Sequence, residues 1–335
     1  MGNDVILKVE NLSSGFTVDK RQIRITRDVS FEVHRGKTLA IVGESGCGKS
    51  VTVHSIMQLL PPNGKIFGGK STYYKDGAAY ELSAMPPYGK QMRAIRGAEI
   101  GMVFQDPMSS LNPVYTVGAQ VSANLRQHRK MSKKEARKEV VALFAQLGIP
   151  DPERRYDQYP HEFSGGMKQR VMIAIAMICN PQLIIADEPT TALDVTIQAQ
   201  IMALMKQLQL EHGKSIILIT HNMGLVAEMA DEVAVMYMGR IVEMGTTEQL
   251  FAKPTHPYTR ALLRSVPRLG MDRTRDLETI QGMTPSPLEL TEGCEFAGRC
   301  TVCTEDCRRG LMPYRDIGGG HWVRCMRTEG GEGNG

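Results

Sequence analysis

The chain has 335 residues, of which 42% are apolar and 23% are charged, a composition typical of a globular protein with one large domain or two moderate ones. Its 40 basic and 36 acidic residues leave a net charge of only +4, which argues against an extended nucleic-acid-binding surface. No apolar run reaches the roughly 18 to 20 residues that cross a bilayer, and the N-terminus lacks the pattern of a secretory signal, so we predict a cytosolic protein.

Four short runs rich in β-branched residues predict strands that are buried on both faces, as in a parallel sheet. These runs cover residues 38–42, 100–104, 183–186 and 216–219. Helical patterns occur at residues 49–60, 133–147, 166–178 and 197–211. The alternation predicts a doubly wound α/β core. Other segments are predicted from composition: antiparallel strands at 61–99, a helical insert at 120–180, a loop-like region after about residue 265 and a flexible tail.

The first motif is GESGCGKS, residues 43–50, which follows the predicted strand TLAIV and precedes a predicted helix. This is the G-x-x-x-x-G-K-[ST] pattern in the strand-to-helix setting that the motif requires. Its glycines let backbone N–H groups converge on phosphate oxygens; the alternative is a glycine-rich turn without a ligand. Lys49 is expected to reach the β- and γ-phosphates and Ser50 to bind Mg²⁺. The predicted lining of this nucleotide site is Gly43, Glu44, Ser45, Gly46, Cys47, Gly48, Lys49, Ser50 and Val51.

The second motif is LIIADEPT, residues 183–190, in which four apolar residues end in two carboxylates. Asp187 and Glu188 are therefore predicted at the carboxyl edge of the sheet, where open α/β sheets bind their ligands. Asp187 is a candidate Mg²⁺ ligand through water, and Glu188 is a candidate for polarising the attacking water. The alternative for this pair is a solvated acidic turn. A further strand, SIILIT, ends at His221, whose position alone favours a structural role.

The third motif is HEFSGGMKQR, residues 161–170. Ser164 is predicted to cap a helix that begins with Gly165 and Gly166, which leaves backbone N–H groups open to an anion. No phosphate-loop lysine or acidic pair accompanies it in sequence. Such a half-site becomes complete if another subunit supplies the remainder; the alternative is a capped helix with a flexible entry.

With these elements in this order, the sequence resembles the ATP-binding subunits of ABC transporters over roughly residues 5–250. FSGGMKQR stands where that family has its LSGGQ signature, with departures at Phe163 and at Met167 and Lys168. The resemblance implies an ABC-type nucleotide-binding domain, in which a P-loop α/β core carries an antiparallel β subdomain and a helical subdomain. It also implies ATP and Mg²⁺ as ligands and ATP hydrolysis as the activity.

The resemblance assigns roles to further residues. Gln105 of MVFQDP corresponds to the Q-loop residue that contacts Mg²⁺ and takes part in catalysis, and His221 corresponds to the catalytic H-loop histidine. Residues 192–194, Ala-Leu-Asp, correspond to the D-loop, which implies that Asp194 lines the nucleotide site. Phe16 of LSSGFTVDK occupies the position of the aromatic residue that stacks on adenine, and a phenylalanine keeps the π-face needed for stacking.

A narrower similarity involves QDPMSSLNPVYTVGAQ, residues 105–120, and HPYTRALLRSVP, residues 256–267. These segments look like the dipeptide, oligopeptide and nickel importer ATPases. The similarity implies an ATPase domain at 1–255, whose helical subdomain covers roughly 106–180, and a small cysteine-rich C-terminal extension at 256–335. Peptide import is the implied function, with import of nickel or another small solute as the alternative. A soluble ABC-type ATPase acting on nucleic acid or ribosomes is a more distant alternative.

The extension contains five of the seven cysteines, four of them in CEFAGRCTVCTEDC, residues 294–307. Clustered cysteines in a cytosolic protein are more often metal ligands or redox centres than disulfides. In some of the resembling importer ATPases the extension carries an iron–sulfur cluster, and the matching positions are Cys294, Cys300, Cys307 and Cys325. The resemblance thus implies a [4Fe–4S] cluster. Because Cys303 forms a C-x₂-C pair with Cys300, a zinc site and free thiols remain alternatives.

The resemblance also implies an assembly. Two ATPase subunits, here a related but different pair, sandwich two ATP molecules between the phosphate loop of one and the signature of the other. Two transmembrane permeases and an extracytoplasmic solute-binding protein complete the importer, and no nucleic acid takes part. The implied location is the cytoplasmic face of the inner membrane. Because the phosphate loop and the cysteine segment lie far apart in sequence, nucleotide binding is expected to be independent of the cysteines.

Overall fold

The computed structural model describes residues 4–190, 194–265, 280–288 and 293–327. The strands are β1 (Val5–Val18), β2 (Arg21–His34), β3 (Thr38–Val42), β4 (Gly64–Lys75), β5 (Ala78–Glu81), β6 (Ile100–Val103), β7 (Leu183–Asp187), β8 (Ser215–Thr220), β9 (Glu232–Tyr237), β10 (Arg240–Thr246), β11 (Tyr314–Asp316) and β12 (Trp322–Arg324). The helices are α1 (Lys49–Ile56), α2 (Lys90–Ile95), α3 (Pro107–Ser110), α4 (Val117–Arg129), α5 (Lys133–Gln146), α6 (Pro152–Tyr156), α7 (Gly165–Met177), α8 (Val195–His212), α9 (Met223–Met229), α10 (Thr247–Ala252) and α11 (Pro257–Arg264).

The larger sheet has the order β11-β12-β10-β9-β3-β8-β7-β6. Its strands β9, β3, β8, β7 and β6 run parallel, and β3, β7 and β8 are buried along their whole length. Continuous burial explains why their sequences are unbroken apolar runs, because both faces of each strand meet a core. The four predicted core strands and the doubly wound α/β core are therefore confirmed, with β6 ending at Val103 rather than at residue 104.

The smaller sheet is antiparallel, with the order β2-β1-β4-β5. Antiparallel strands within residues 61–99 were expected and are confirmed by β4 and β5. The long hairpin of β1 and β2 was not expected. These two strands pair from Val5 with His34 to Val18 with Arg21, through several register shifts that interrupt a simple alternation of buried and exposed residues.

The predicted helices are found close to the expected positions. Helix α1 ends at Ile56 rather than at residue 60 because Gln58 turns into the left-handed backbone region and Arg96 binds the carbonyl of Met57 at 2.7 Å. Helices α3 to α7 lie between β6 and β7, and α4 to α7 share one apolar core centred on residues such as Val121 and Phe144. None of the described helices combines the length and apolar character needed to cross a membrane.

The described part of the C-terminal extension packs against the larger sheet. Strand β12 pairs with β10 through Val323 opposite Glu243, and β11 pairs with β12, so the extension continues the sheet. Phe296 shares a core with Tyr237 and Tyr258. The expectation of a purely loop-like region is thus wrong for residues 314–316 and 322–324. The predicted flexible tail, like residues 266–279 and 289–292, lies outside the described residues.

Candidate functional site

The phosphate loop connects β3 to α1 and is shaped by its glycines. Gly43 and Gly48 have φ angles of 153° and 106°, which L-residues rarely adopt. A Cβ atom at Gly43 would also clash with the carbonyl oxygen of Met236 on the neighbouring strand β9. Ser45 and Gly46 are exposed at the tip, whereas Cys47 is buried beneath the loop. The backbone N–H groups before α1 are therefore open to an anion, as the motif predicts.

Lys49 is folded over this loop. Its Nζ donates hydrogen bonds to the carbonyl oxygens of Gly43 at 2.9 Å and of Glu44 at 3.0 Å, and the residue is only 5% exposed. Both of these acceptors are neutral carbonyls, so the hydrogen bonds of the buried ammonium do not bring it into contact with a negative charge. The oxygens of a bound phosphate would supply that charge.

Ser50 and Asp187 form a pair of oxygen ligands beside the loop. The Ser50 hydroxyl donates to Asp187 Oδ1 at 2.9 Å, and Asp187 is 2% exposed at the end of β7. Burial raises the pKa of Asp187, and the hydrogen bond from Ser50 opposes that rise. His54 Nε2 lies 3.8 Å from the other carboxylate oxygen, and burial lowers the pKa of this histidine. A carboxylate and a hydroxyl at this spacing fit a hard cation such as Mg²⁺.

Glu188 lies next to this pair, together with two residues from the neighbouring strand ends. Gln105 Nε2, after β6, donates to Glu188 Oε2 at 3.1 Å, and His221 Nδ1, after β8, lies 3.7 Å from Oε1. Glu188 has a φ angle of 44°, an unusual value for a residue with a side chain. Its backbone N–H donates to the carbonyl oxygen of Ile219 at 3.0 Å. The predicted acidic pair and the residues Gln105 and His221 thus meet at one sheet edge, and a solvated acidic turn does not describe them.

The signature segment lies at the start of α7. Ser164 accepts a hydrogen bond from the Met167 N–H at 3.3 Å, as expected for a helix cap, and Ser164 and Gly165 are exposed. Gly166 packs so closely on Ile197 of α8 that an added Cβ would come within 2.9 Å of its methyl group. Phe163 is 5% exposed in the helical core, so this departure from the family signature fills an apolar position.

Two predicted nucleotide-site residues have structural partners of their own. Asp194 caps α8 by accepting from the Ile197 N–H at 3.0 Å; the remaining D-loop residues, 192 and 193, lie outside the described residues. Phe16 is half-buried on β1, opposite Ile23 and Gly64. Their contacts with nucleotide stay predictions.

A group of residues from the extension contacts the phosphate loop, and no sequence pattern predicted this contact. Arg299 and Thr284 bind the Glu44 carboxylate, and the Tyr258 hydroxyl accepts from the Glu44 N–H at 2.9 Å. Burial alone would raise the pKa of Glu44, but the hydrogen bonds from Arg299 and Thr284 lower it overall. Although the phosphate loop and the cysteine segment lie far apart in sequence, the residue directly before Cys300, Arg299, contacts the loop. A contact across 255 residues leaves no local sequence signal.

The cysteine segment forms a narrow apolar pocket. Four cysteines line it together with Phe296 and Met312; they are Cys294, Cys300, Cys307 and Cys325. Cys303 is not among the lining residues, and its thiol donates to the Thr304 carbonyl at 3.4 Å. All seven cysteines are free, and burial raises the pKa of Cys294 to about 12.

Within the described residues no group of three or more His, Cys, Asp or Glu side chains is placed to hold a metal ion. The expected [4Fe–4S] cluster and the zinc alternative therefore lack support from ligand geometry. The four thiols share a pocket without forming a ligand set.

The fold and this sheet edge define a P-loop nucleotide-binding protein, and comparison with known proteins narrows the class. The family model described as "ABC transporter" matches residues 26–191, and "Oligopeptide/dipeptide transporter, C-terminal region" matches residues 242–307. The chain is 51% identical to the dipeptide transport ATP-binding protein DppD of Bacillus subtilis, over 96% of this chain and 94% of that protein. It is 47% identical to the oligopeptide transport ATP-binding protein OppD of the same organism, over 95% of this chain and 88% of that protein.

A solved structure, the dimeric post-hydrolysis state of the ATP-binding cassette MJ0796 bound to ADP and Pi, superposes with a TM-score of 0.63 at 28% identity, covering 72% of this chain and 99% of that one. The chain belongs to the ATP-binding proteins of ABC transporters. The expected ABC-type nucleotide-binding fold is confirmed, and the protein is an ABC-type ATPase.

Proposed function

We propose that this chain is the ATP-binding and ATP-hydrolysing subunit that powers import of dipeptides or oligopeptides. The observation that carries the proposal is one sheet edge at which Lys49, the Ser50–Asp187 pair and Glu188 meet, in a chain whose C-terminal region matches that of oligopeptide and dipeptide transporters. Relatives named for dipeptide and oligopeptide transport support the choice of solute. Nickel or another small solute is the alternative.

The residues of the phosphate loop bind ATP through their backbone N–H groups, and Lys49 exchanges its two carbonyl partners for oxygens of the β- and γ-phosphates. Ser50 and Asp187 would hold Mg²⁺, together with Gln105, whose amide contacts the neighbouring Glu188. When bound, Mg²⁺ neutralises phosphate charge in the transition state. Phe16 stacks on the adenine.

Glu188 acts as the general base for the attacking water. Its carboxylate is oriented by the Gln105 amide, which donates to one oxygen at 3.1 Å, and by His221, 3.7 Å from the other. The unusual backbone conformation at Glu188 accompanies side-chain contacts with the residues that follow β6 and β8. The side chain of His221 is 62% exposed, which would leave it free to contact the γ-phosphate of bound ATP.

The signature segment serves a second ATPase subunit. Ser164, Gly165 and Gly166 present the exposed start of α7 to the ATP bound by the partner, and Asp194 lies next to the same interface. The partner is a related ATPase, two permeases receive the motion through the surface around residues 105–117, and an extracytoplasmic binding protein delivers the solute. This assembly places the chain at the cytoplasmic face of the inner membrane.

The function is tested with the complete importer in proteoliposomes that contain ATP. Uptake of labelled dipeptides and oligopeptides is measured against uptake of nickel, and the matched control carries Glu188→Gln. We expect ATP-dependent uptake of peptide that is absent from the control. Transport of nickel alone would replace the proposed solute and leave the ATPase assignment standing.

We also propose that Cys294, Cys300, Cys307 and Cys325 hold a [4Fe–4S] cluster. The support is that these four thiols line one pocket and Cys303 does not. Because they do not form a ligand set as the structure places them, the proposal requires the four thiols to move closer together when the cluster binds. Thiolates are the usual ligands of such clusters, which would hold the surrounding segment together.

We predict that anaerobically purified protein contains iron and acid-labile sulfide in equal amounts. Cys325→Ser should lose both iron and sulfide, because Cys325 is one of the four cysteines that line the pocket. Cys303→Ser should keep the iron and sulfide content of the unmodified protein, because Cys303 does not line the pocket. Metal analysis and visible absorption measure both variants. Stoichiometric zinc without sulfide, or loss of metal on changing Cys303 alone, would contradict the assignment.

A further inference from the structure

Described residues of the C-terminal extension contact Glu44 of the phosphate loop. Arg299 binds its carboxylate with two parallel hydrogen bonds, from Nη1 to Oε2 at 2.7 Å and from Nη2 to Oε1 at 3.0 Å. The Thr284 hydroxyl donates to Oε2 at 2.7 Å, and the Glu44 N–H donates to the Tyr258 hydroxyl at 2.9 Å. Two-pronged arginine–carboxylate pairs fix orientation as well as distance.

These partners are themselves held in place. The Arg299 side chain is 7% exposed, and its other N–H groups donate to the carbonyls of Gln281 at 3.0 Å and Ile280 at 3.3 Å. Tyr258 is fully buried and packs on Tyr237, with ring centres 4.6 Å apart. Because neither side chain has rotational freedom to lose, this contact differs from the exposed ion pairs that contribute little to stability.

Glu44 connects these residues to Lys49. Its backbone N–H is bound by Tyr258, and its carbonyl accepts from Lys49 Nζ at 3.0 Å. The peptide groups on both sides of Glu44 are thereby fixed, and they belong to the loop whose N–H groups bind phosphate. A binding loop that already has its bound shape spends less conformational entropy when the ligand arrives.

We propose that Tyr258, Thr284 and Arg299 are positioning residues of the ATP site, which hold Glu44 so that the backbone of the phosphate loop is preorganised for the phosphates of ATP. The proposal rests on the assignment of the loop as the ATP site. The extension thus contributes to the ATP-binding site of the ATPase domain, and the folding of the extension controls ATP affinity.

The test measures binding of MgATP to the full chain and the KM and kcat of the assembled ATPase. Arg299→Ala should raise the Kd and KM for ATP by about five- to tenfold, the lower range of ordinary coupling between sites, with little change in kcat. Glu44→Gln should lower ATP affinity in the same way. The double variant, Arg299→Ala with Glu44→Gln, should bind ATP no more weakly than the single variant with the lower affinity. Arg299→Lys should restore only part of the affinity, since an ammonium cannot form the two-pronged contact.

Glu295→Gln is the matched control. Glu295 is buried and binds Arg27 and Arg240, both at 2.9 Å, so it anchors the same extension without contacting the phosphate loop. We expect its ATP affinity to equal that of the unmodified chain. An equal loss in Glu295→Gln would mean general loosening of the extension and would overturn the proposal, as would unchanged affinity in Arg299→Ala. Lys49→Ala distinguishes a failure of this proposal from a failure of the ATP-site assignment on which it rests. If Lys49→Ala also keeps full ATP affinity, the loop has been wrongly assigned as the ATP site.

Discussion

Glu188 directly follows the fully buried strand β7 and has a left-handed backbone conformation with a φ angle of 44°. Such a conformation costs roughly 1–3 kcal/mol in a residue with a side chain and persists only where the surroundings enforce it. Here the N–H bond to Ile219 and the contacts with Gln105 and His221 do so. We propose that this strained position serves the role of Glu188 as general base rather than the stability of the fold.

We predict that Glu188→Gln binds ATP with near-normal affinity and hydrolyses it about 10²- to 10⁴-fold more slowly, because the amide keeps the shape of the side chain but cannot accept a proton. Single-turnover assays of the importer measure the rate of hydrolysis, and a nucleotide-binding experiment measures the affinity for ATP. A variant that retains most of its hydrolysis at this site would show that another group is the base.

At the residue scale, local motifs were predictable and distant contacts were not. Lys49 and Ser50 follow from an eight-residue pattern between a strand and a helix, and Asp187 from an apolar run that stops at a carboxylate. The roles of Gln105 and His221 came from family resemblance, and the structure supplies their distance to Glu188. Arg299 was missed because nothing near it in sequence indicates that its partner is Glu44.

The helix α7 offers a separate test of the signature at the scale of one element. Its cap Ser164 and the cap of α5, Ser132, both accept a backbone N–H at 3.3 Å, and both are exposed. Loss of either cap should cost about 1 kcal/mol of unfolding free energy. Only Ser164 belongs to the segment that we assign to the partner's ATP.

We therefore predict that both Ser164→Ala and Ser132→Ala lower the unfolding free energy by a similar amount. Only Ser164→Ala should also lower ATP hydrolysis by the assembled importer, several-fold, whereas Ser132→Ala should leave hydrolysis unchanged. Urea unfolding of the chain and ATPase assays of the complex are the two measurements. Equal ATPase rates in both variants would indicate that Ser164 acts only as a helix cap.

Elements differed in how well their sequences predicted them. Strands β3, β7 and β8 are buried on both faces and appear as unbroken apolar runs. The hairpin of β1 and β2 mixes polar and apolar residues through several register shifts, so no regular period was visible. Strands β11 and β12 have three residues each and exist because β10 offers an edge to pair with, which is a tertiary cause.

At the scale of the whole molecule, Glu243 joins the extension to the core. This carboxylate is fully buried on β10 and accepts from the N–H groups of Thr255 and His256 at 2.7 and 2.9 Å and contacts His321 Nε2 at 2.8 Å. Burial lowers the pKa of His256 to about 3, so its neutral ring can accept the Tyr258 N–H at Nδ1, 3.1 Å away. A chain of hydrogen bonds thus runs from Glu243 through His256 and Tyr258 to Glu44.

We predict that Glu243→Gln lowers the unfolding free energy by about 2–4 kcal/mol, because an amide group replaces one of two acceptor oxygens that face buried donors. Hydrogen exchange should accelerate at residues 314–316 and 322–324, where β11 and β12 depend on the β10 edge, before it does so in β3 or β8. The control is Glu305→Gln, which removes a surface ion pair with Arg309 in the same extension, at 2.7 Å, and should alter neither stability nor exchange. Urea unfolding and site-resolved exchange distinguish the two variants. If Glu243→Gln left exchange in β11 and β12 unchanged, the extension would be held by its apolar contacts around Phe296, and the hydrogen-bonded connection would be of secondary importance.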